Sequence, residues 1–346
     1  MGTMQRRPPA RLADVARLAR VSTATASRTL SQPASVNAET RMRVLEAVRA
    51  LGYTPNVAAR NLRARTTRMV LVVVDNIGNS FFTDVLRGID AELTRHNYGM
   101  IIGNLDSHLE RERSFVEIAF SGAVDGILLL SLRRLPRDET RTIAMAGLPM
   151  IALCEALPDV DFPQVTVRNK EASVAVVAHL AALGHRRIGH IGGPPAIFTA
   201  QQRASGFAEG LLASGIDPAG CPLWGGTYHF DSGYDAGRAF MAMRERPTAV
   251  FAANDEMAVG FMKCIHDNGL RVPGDVSVVG FDGVPYARFA IPTLTTVVQP
   301  RIEIGAAAAG LLVRRMAGEE TGAAPCLEAP LSIHASTGPP PARRNV

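Results

Sequence analysis

Residues 12–30 read LADVARLARVSTATASRTL, and this stretch decides the fold of the N-terminal region. Apolar residues at helical spacing predict a first helix, and they are Leu12, Val15, Ala16 and Ala19. The pattern breaks at Arg20, and Ser22 is a favourable N-cap for a second helix that ends near Leu30. Two helices joined by a turn of about three to four residues form a helix-turn-helix.

The outward side of the second helix is small and rich in hydroxyl groups. Its residues are Ser22, Thr23, Ala24, Thr25, Ser27 and Arg28. Small side chains let a helix backbone approach a groove wall, and hydroxyl groups donate hydrogen bonds to phosphates or base edges. We expect Arg28 to reach a base or a phosphate. This side of the helix is therefore a candidate DNA-reading surface.

Charge is distributed unevenly along the chain. The formal net charge is +5, yet the first 68 residues hold thirteen Arg, no Lys and three acidic residues, so they carry +10 and the remainder carries −5. A basic segment on a mildly acidic body is typical of a protein that meets a polyanion, most often nucleic acid. The alternative is a solvated basic tail, but helical periodicity runs through these residues and a disordered tail would lack it.

A third helix and a short basic segment follow. The third helix is predicted to begin after Asn37 and to end at Gly52, which tolerates the left-handed C-cap conformation. We expect its apolar residues to close a three-helix core, and they are Met42, Val44, Leu45, Val48 and Leu51.

The basic segment, residues 55–68, is helix-compatible but marginal alone, because isolated helices need roughly 12 to 15 residues. We interpret it as a hinge that folds on DNA and inserts Leu62 into the minor groove. The alternative is a linker whose Leu62 docks on the next domain. The DNA contacts expected here are Asn56, Ala59, Arg60, Leu62 and Arg63.

From Met69 onward, short buried strands alternate with amphipathic helices. The candidate strands are residues 69–74, 99–103, 125–130, 149–153, 164–167, 187–192, 223–227, 248–252 and 275–280. This alternation is typical of an α/β fold with parallel sheets and right-handed crossovers. Prolines interrupt the periodicity near residues 155–163, so we expect two lobes there, with a ligand cleft between the carboxyl ends of their strands.

Other classes of protein lack a signal in the sequence. No apolar run approaches the roughly 18 residues of a membrane span, and the basic N-terminus has no signal-peptide core, so we expect a cytoplasmic protein. The cysteines form no CxxC pair. The spacing of His179, His185 and His190 does not place them on one helix face as a zinc site requires. Residues 189–193 form neither a dinucleotide nor a phosphate loop. We expect no enzyme activity, no metal and no cofactor.

Four separated motifs resemble the lactose/galactose repressor family of bacterial transcriptional regulators. In order they are Asp14-Val15-Ala16, Val21-Ser22-Thr23-Ala24-Thr25 with Ser27-Arg28, Gly52-Tyr53-Thr54-Pro55-Asn56, and Ala59-Arg60-Asn61-Leu62. Body motifs at residues 248–255, 269–273, 280–282 and 294–300 are similar to the same family's ligand core, so the resemblance covers residues 11 to about 338. Within the family, residues 131–136 and 299–301 with 303–305 resemble the cytidine-responsive branch. Two departures are Arg11, where the family usually has a Thr that caps the first helix, and Ala26, where it usually has Val.

The resemblance implies a repressor that binds a near-palindromic operator as a homodimer and responds to a nucleoside or sugar. The alternative is a solute-binding protein for such a ligand. The implied domains are a helix-turn-helix domain at residues 1–54, the hinge at 55–68, a two-lobed periplasmic-binding-protein-like domain at 69–338 and a tail at 339–346. The first lobe is expected to hold residues 69–155 and 285–300, and the second 164–284 and 300–338.

The resemblance also implies where the effector binds. The pocket residues carried over from the family are Phe81, Phe82, Thr199, Arg203, Tyr228 and Asp282. Aromatic faces suit a base or sugar ring, and an arginine with a carboxylate suits ligand hydroxyls. Cys154 and Arg168 stand where relatives often carry Asp, which puts hydroxyl recognition on that side in question.

Overall fold

The computed structural model describes residues 10–54, 66–105, 109–130, 147–155, 160 and 162–342. The chain divides into two compact units, Met1–Thr67 and Arg68–Val346. Most of the predicted hinge, residues 55–65, lies outside the described residues, and so do the last residues of the predicted tail. The domain limits at residues 54 and 68 therefore stay predictions.

The first unit is a three-helix head. It contains α1 (Leu12–Leu18), α2 (Thr23–Ser31), a 3-10 turn (Pro33–Ser35) and α3 (Ala38–Leu51). Its core is formed by small side chains, namely Val15, Ala16, Ala19, Ala26, Val44 and Ala47. The head thus has the predicted helix-turn-helix.

The predicted core stripe of α3 is only partly right. Met42 is 60% exposed, and Leu45 and Leu51 are each 37% exposed. Residues advance by about 100° around a helix axis, so Met42 and Leu45 point away from the face that carries the buried Val44. Leu51 shares the face of Val44 but is the last residue of the helix. Helices α1 and α2 pack against α3 and cover only one narrow stripe of its surface, so part of the predicted apolar stripe stays exposed.

The second unit holds two six-stranded sheets, one in each lobe. The first sheet has the order β11-β5-β4-β3-β1-β2 and consists of β1 (Met69–Val74), β2 (Gly99–Asn104), β3 (Gly126–Leu129), β4 (Met150–Leu153), β5 (Gln164–Val167) and β11 (Cys326–Leu327). All its pairings are parallel, with Val72 beside Ile102 and Leu128. From Val70 onward β1 is fully buried, as a parallel strand covered on both faces should be.

The second sheet has the order β12-β10-β9-β8-β6-β7. Its strands are β6 (Ile188–Ile191), β7 (Leu223–Trp224), β8 (Ala249–Ala252), β9 (Ser277–Asp282), β10 (Thr295–Val298) and β12 (Leu331–Ser332). Its pairings are parallel except for the β10–β12 pair, which is antiparallel.

Helices pack in pairs on these sheets. The first lobe carries α4 (Ser80–Arg95), α5 (Leu109–Phe120) and α10 (Arg301–Met316), and the second carries α6 (Asn169–Ala182), α7 (Phe198–Ala213), α8 (Phe230–Met241) and α9 (Asp255–Asp267). The tightest pairs are α4 with α10, α6 with α7 and α8 with α9. No helix in the described ranges is both long and apolar enough to cross a membrane.

The α/β prediction is confirmed, and each of the nine predicted strands is present. The predicted division into lobes is wrong at three places. Residues 164–167 stay in the first sheet, residues 295–298 belong to the second, and residues 301–327 return to the first lobe as α10 and β11. The chain therefore crosses between lobes three times. Pairing between strands far apart in sequence decides these crossings, and local periodicity carries no information about it.

Candidate functional site

Helix α2 presents the predicted DNA-reading side of the head. Ser22 caps the helix, because its Oγ accepts a hydrogen bond from the Thr25 backbone N–H at 3.1 Å. Ser22, Thr23, Ala24 and Arg28 are exposed, whereas Thr25 and Ser27 are half-buried. Ala26 faces inward and is fully buried in the head core. Small groups and one long cation thus face outward on this helix.

The start of α1 shows the consequence of Arg11 at the N-cap. The Asp14 carboxylate accepts a hydrogen bond from the Arg11 backbone N–H at 3.0 Å. The guanidinium of Arg11 has no acceptor atom to offer the helix in return. Only half of a capping box is therefore made, so the family's usual threonine would cap this helix better.

The expected hinge contacts Asn56, Ala59, Arg60, Leu62 and Arg63 lie outside the described residues. Their roles remain predictions from the sequence.

A cavity of about 380 Å³ lies between the carboxyl ends of the strands of the two lobes. All six predicted effector residues line it. Phe81 and Phe82 lie in the first turn of α4, Thr199 and Arg203 on α7, Tyr228 shortly after β7, and Asp282 at the end of β9. The structure thus brings together residues spread over about 200 positions of sequence.

Arg203 is held rigidly at the wall of this cavity. Its Nε donates to Oδ1 of Asn169 at 2.9 Å, and its Nη1 donates to the carbonyl oxygen of Ala253. The guanidinium lies 3.7 Å from the centre of the Phe281 ring. Nη1 is also 3.6 Å from Oδ1 of Asp282. The side chain is 7% exposed, so its direction is fixed before a ligand arrives.

Asp282 connects the cavity with Gln299, which lies where the chain crosses from β10 of the second lobe to α10 of the first. Its Oδ1 accepts a hydrogen bond from Gln299 Nε2 at 2.7 Å, and its carbonyl oxygen accepts one from Arg301. Its φ is +118°, a region that non-glycine residues rarely adopt and that is often found at ligand sites. Burial raises the pKa of Asp282 to about 6, although the charge of Arg203 opposes the rise.

Three aromatic side chains share the cavity. The rings of Phe81 and Phe82 meet edge to face with centroids 5.3 Å apart. Asn79 caps α4 by accepting from the Phe81 backbone N–H at 2.9 Å, which fixes this turn. Tyr228 has a φ of +68°, and Asn254 donates to its carbonyl oxygen at 2.9 Å. Burial raises the pKa of Tyr228 to about 12. These rings offer apolar faces to a flat ligand.

The sequence-based prediction missed several polar residues that line the cavity. They include Asp75, Asn76, Glu155, Asn254 and Gln299. All five lie within two residues of the end of a strand. That position was the available signal, because carboxyl ends of parallel strands meet at one edge.

Cys154 and Arg168, which stand where relatives often carry Asp, lie in different surroundings. Cys154 lines the cavity, where burial raises the pKa of its thiol. Arg168 is not among the lining residues, and its Nε contacts Glu328 Oε1 at 2.7 Å on the surface. Glu155 Oε1 accepts a hydrogen bond from Thr199 Oγ1 at 2.6 Å. A carboxylate therefore faces the cavity one residue after Cys154.

The histidines considered for zinc have structural contacts. His185 bonds to Thr248 Oγ1 at 2.8 Å and to the Gly338 carbonyl oxygen at 2.9 Å. His190 Nδ1 bonds to the Phe251 carbonyl oxygen at 2.9 Å, and burial lowers the pKa of His190 to about 4. His179 Nε2 lies 3.1 Å from Thr337 Oγ1. These contacts tie the C-terminal segment and the core together.

Comparison with known proteins covers both units. Residues 11–56 match the family described as "Bacterial regulatory proteins, lacI family", and residues 177–337 match the "Periplasmic binding protein-like domain". The transcriptional repressor CytR of Escherichia coli strain K12 is 36% identical over 313 residues, 90% of this chain and 92% of CytR. Catabolite control protein A of Priestia megaterium is 33% identical over 304 residues, 88% of this chain and 91% of that protein.

Solved structures agree with these relatives. The lac repressor dimer bound to operator and the anti-inducer ONPF has a TM-score of 0.86 at 26% identity, covering 96% of this chain and all of that one. The complex of the regulator CelR with cellobiose has a TM-score of 0.71 at 31% identity, with coverage of 96% and 100%. The matches include the helix-turn-helix head, which a solute-binding protein has no use for. The chain is therefore a DNA-binding transcriptional regulator with an effector-binding domain, and it belongs to the lacI family of bacterial regulatory proteins.

Proposed function

We propose that this regulator is a repressor whose operator affinity is controlled by a nucleoside bound in the cavity between its lobes. The observation that carries this proposal is the pairing of a preorganised Arg203 and Asp282 with three aromatic rings in one cavity. Ribose hydroxyls suit the charged pair, and a planar base suits the rings.

A sugar is the second candidate effector. The supporting observation is the number of carboxylate and amide side chains at the strand ends, because each can bond to a sugar hydroxyl. The relative CelR forms a complex with cellobiose. The aromatic share of the lining favours the nucleoside.

On the DNA side, we infer that two chains act as a twofold dimer on a near-palindromic operator. One reading helix covers only a few base pairs, so useful specificity requires two heads. The proposed major-groove residues are Ser22, Thr23, Ala24, Thr25, Ser27 and Arg28. The proposed hinge contacts are Asn56, Ala59, Arg60, Leu62 and Arg63. The lac repressor relative is a dimer bound to its operator, which supports this arrangement.

We also infer that the chain catalyses no reaction. The relatives named above are regulators, and control of transcription by such proteins needs only binding. His185 supports this inference, because both of its ring nitrogens bond to the protein itself.

A gel-shift titration of the full-length protein on the DNA upstream of its own gene tests the proposal. Nucleosides and sugars are added singly, and the proposal expects at least one nucleoside to change operator affinity tenfold or more. Arg28→Ala should weaken operator binding, whereas Arg271→Ala, an exposed arginine of the second unit paired with Asp275, should not. A response to sugars alone would favour the second candidate, and a response to neither would contradict the assignment of the cavity.

A further inference from the structure

Glu155 enters the cavity through an unusual backbone turn. It follows β4 after Cys154, whose φ is +70°. A non-glycine residue in the left-handed region is uncommon and strained, so the surrounding structure must hold it there. The turn places the Glu155 carboxylate among the lining residues, although neither the family motifs nor the periodicity pointed to it.

Thr199 of the opposite lobe orients this carboxylate. Thr199 Oγ1 donates to Oε1 at 2.6 Å, and the Thr199 backbone N–H lies 3.4 Å from Oε2. Thr199 is 2% exposed and sits in the first turn of α7, so the donor is itself fixed. A carboxylate has about four acceptor sites, and these contacts leave acceptor capacity for a ligand.

The charges around the cavity are unbalanced. The described lining residues include three carboxyl groups, those of Asp75, Glu155 and Asp282, but only Arg203 and His229 as basic groups. Arg203 already bonds to Asn169 and Ala253 and stacks on Phe281. His229 Nδ1 lies 3.9 Å from the carboxylate of Glu256. Arg203 is the one arginine among the described lining residues and is outnumbered by three carboxyl groups, so a ligand phosphate would meet a mainly acidic lining.

We propose that Glu155 determines effector specificity by selecting an uncharged ligand that presents N–H or O–H donors to its carboxylate. Phosphorylated ligands, and ligands that present acceptor oxygens to this carboxylate, bind more weakly. An ionised carboxylate can only accept hydrogen bonds, so a carbonyl or phosphate oxygen facing it is repelled. For nucleosides this means that amino-bearing bases bind better than their keto counterparts, and that nucleosides bind better than nucleotides. The assignment rests on the proposed nucleoside function.

Calorimetry on the full-length protein tests it with two matched pairs, cytidine against uridine and adenosine against inosine, and with cytidine monophosphate. We expect the wild type to prefer the amino member of at least one pair by tenfold or more, and cytidine over its monophosphate by tenfold or more. In Glu155→Gln these ratios should fall to about threefold or less, because a carboxamide both donates and accepts. Glu245→Gln, an exposed residue paired with Arg187, is the matched control and should keep the wild-type ratios.

Each other outcome overturns the assignment in a distinguishable way. If Glu155→Gln binds with the wild-type ratios, Glu155 does not set specificity while the nucleoside function stands. If the wild type binds none of the four nucleosides, the proposed effector class fails and this assignment fails with it. Should Glu155→Gln not fold, Thr199→Val removes the bond that orients the carboxylate and is expected to reduce the same ratios.

Discussion

Asp282 connects the cavity lining with the segment where the chain crosses between the lobes. It accepts from Gln299 and Arg301 and faces Arg203, so it combines a ligand-facing charge with support of the chain crossing. Substitution by alanine would remove the charge and the side-chain bond to Gln299 together, while the backbone bond to Arg301 would stay. The isosteric asparagine separates them, because it keeps the shape and loses the charge.

We expect Asp282→Asn to weaken effector binding about tenfold or more, since a hydrogen bond to a charged group contributes roughly 1.5 to 3 kcal/mol. Operator affinity without effector should be unchanged. Calorimetry and gel shift measure the two affinities. Asp275→Asn removes a surface carboxylate paired with Arg271 and serves as the control. Wild-type effector affinity in Asp282→Asn would show that the ligand does not contact this group.

The raised pKa of Glu155 leads to a second prediction, on how the free energy of unfolding depends on pH. Burial raises the pKa of Glu155 to about 6 from a usual value of 4.5, with Asp75 adding to the rise and Thr199 and Arg203 opposing it. The folded state therefore holds this proton more tightly than the unfolded state. The resulting stability is fully present below about pH 4.5 and is lost as pH rises through about 6.

The change attributable to Glu155 is about 2 kcal/mol in the free energy of unfolding, and Glu155→Gln should lack it. Urea unfolding of ligand-free protein at pH 4.5 and pH 7.5 measures this. Asp282 and other buried carboxyls titrate in both proteins, so the difference between wild type and variant isolates Glu155. Equal pH dependence in the two proteins would contradict the prediction.

At the scale of elements, glycines set how closely paired helices approach. In the first lobe, a Cβ on Gly88 of α4 would lie 2.1 Å from the Ile302 carbonyl oxygen of α10, and one on Gly305 would lie 2.1 Å from that of Val85. Both distances are far inside van der Waals contact. In the other two helix pairs a glycine also lies against the backbone of the partner helix. It is Gly206 where α7 packs on α6, and Gly260 where α9 packs on α8.

Gly305→Ala should therefore force α10 away from α4 and lower the free energy of unfolding by about 2 kcal/mol or more. Gly310→Ala on the same helix is the matched control, because its Cβ would meet the flexible side chain of Glu92 at 3.5 Å. There the better helix propensity of alanine should stabilise the protein by up to about 1 kcal/mol. Thermal or urea unfolding compares the two variants, and similar stabilities would refute the packing argument.

At the scale of the whole effector-binding unit, Arg301 links the lobes where the chain crosses from β10 to α10. Its Nη2 contacts Asp84 Oδ2 of the first lobe at 2.9 Å, while Nη1 donates to the Asp282 carbonyl oxygen of the second. This contact lowers the pKa of Asp84, so Asp84 stays ionised at neutral pH. A change in the angle between the lobes must strain or break this link.

We expect Arg301→Ala to reduce the coupling between effector and operator, measured as the ratio of operator affinities with and without saturating effector, by about fivefold or more. The reason is that effector binding would no longer act on a fixed connection between the lobes. Gel shifts over an effector titration measure the ratio. Arg314→Ala, exposed near the end of the same helix, is the control. A wild-type ratio in Arg301→Ala would place the coupling elsewhere.

Local patterns in the sequence were sufficient for the helices of the head and for nine of the twelve strands in the described residues, but not for β10, β11 and β12. The helices of the head, the cap at Ser22 and the nine predicted strands depend on neighbours within a few residues, and helical or strand periodicity reports those directly. The basic charge of the first 68 residues is likewise a property of composition. The family motifs then indicated six cavity residues by position.

Only the tertiary structure decided how the lobes are assembled and which further groups enter the cavity. Arg301 and Asp84 are 217 residues apart, and Glu155 and Thr199 are 44 apart. Their contacts depend on strand order and on three chain crossings, which no local pattern encodes. The inward turn of Glu155 follows from the left-handed backbone of Cys154, and a sequence gives no sign of that conformation at a cysteine. Long-range packing therefore placed the carboxylate that we propose selects the effector.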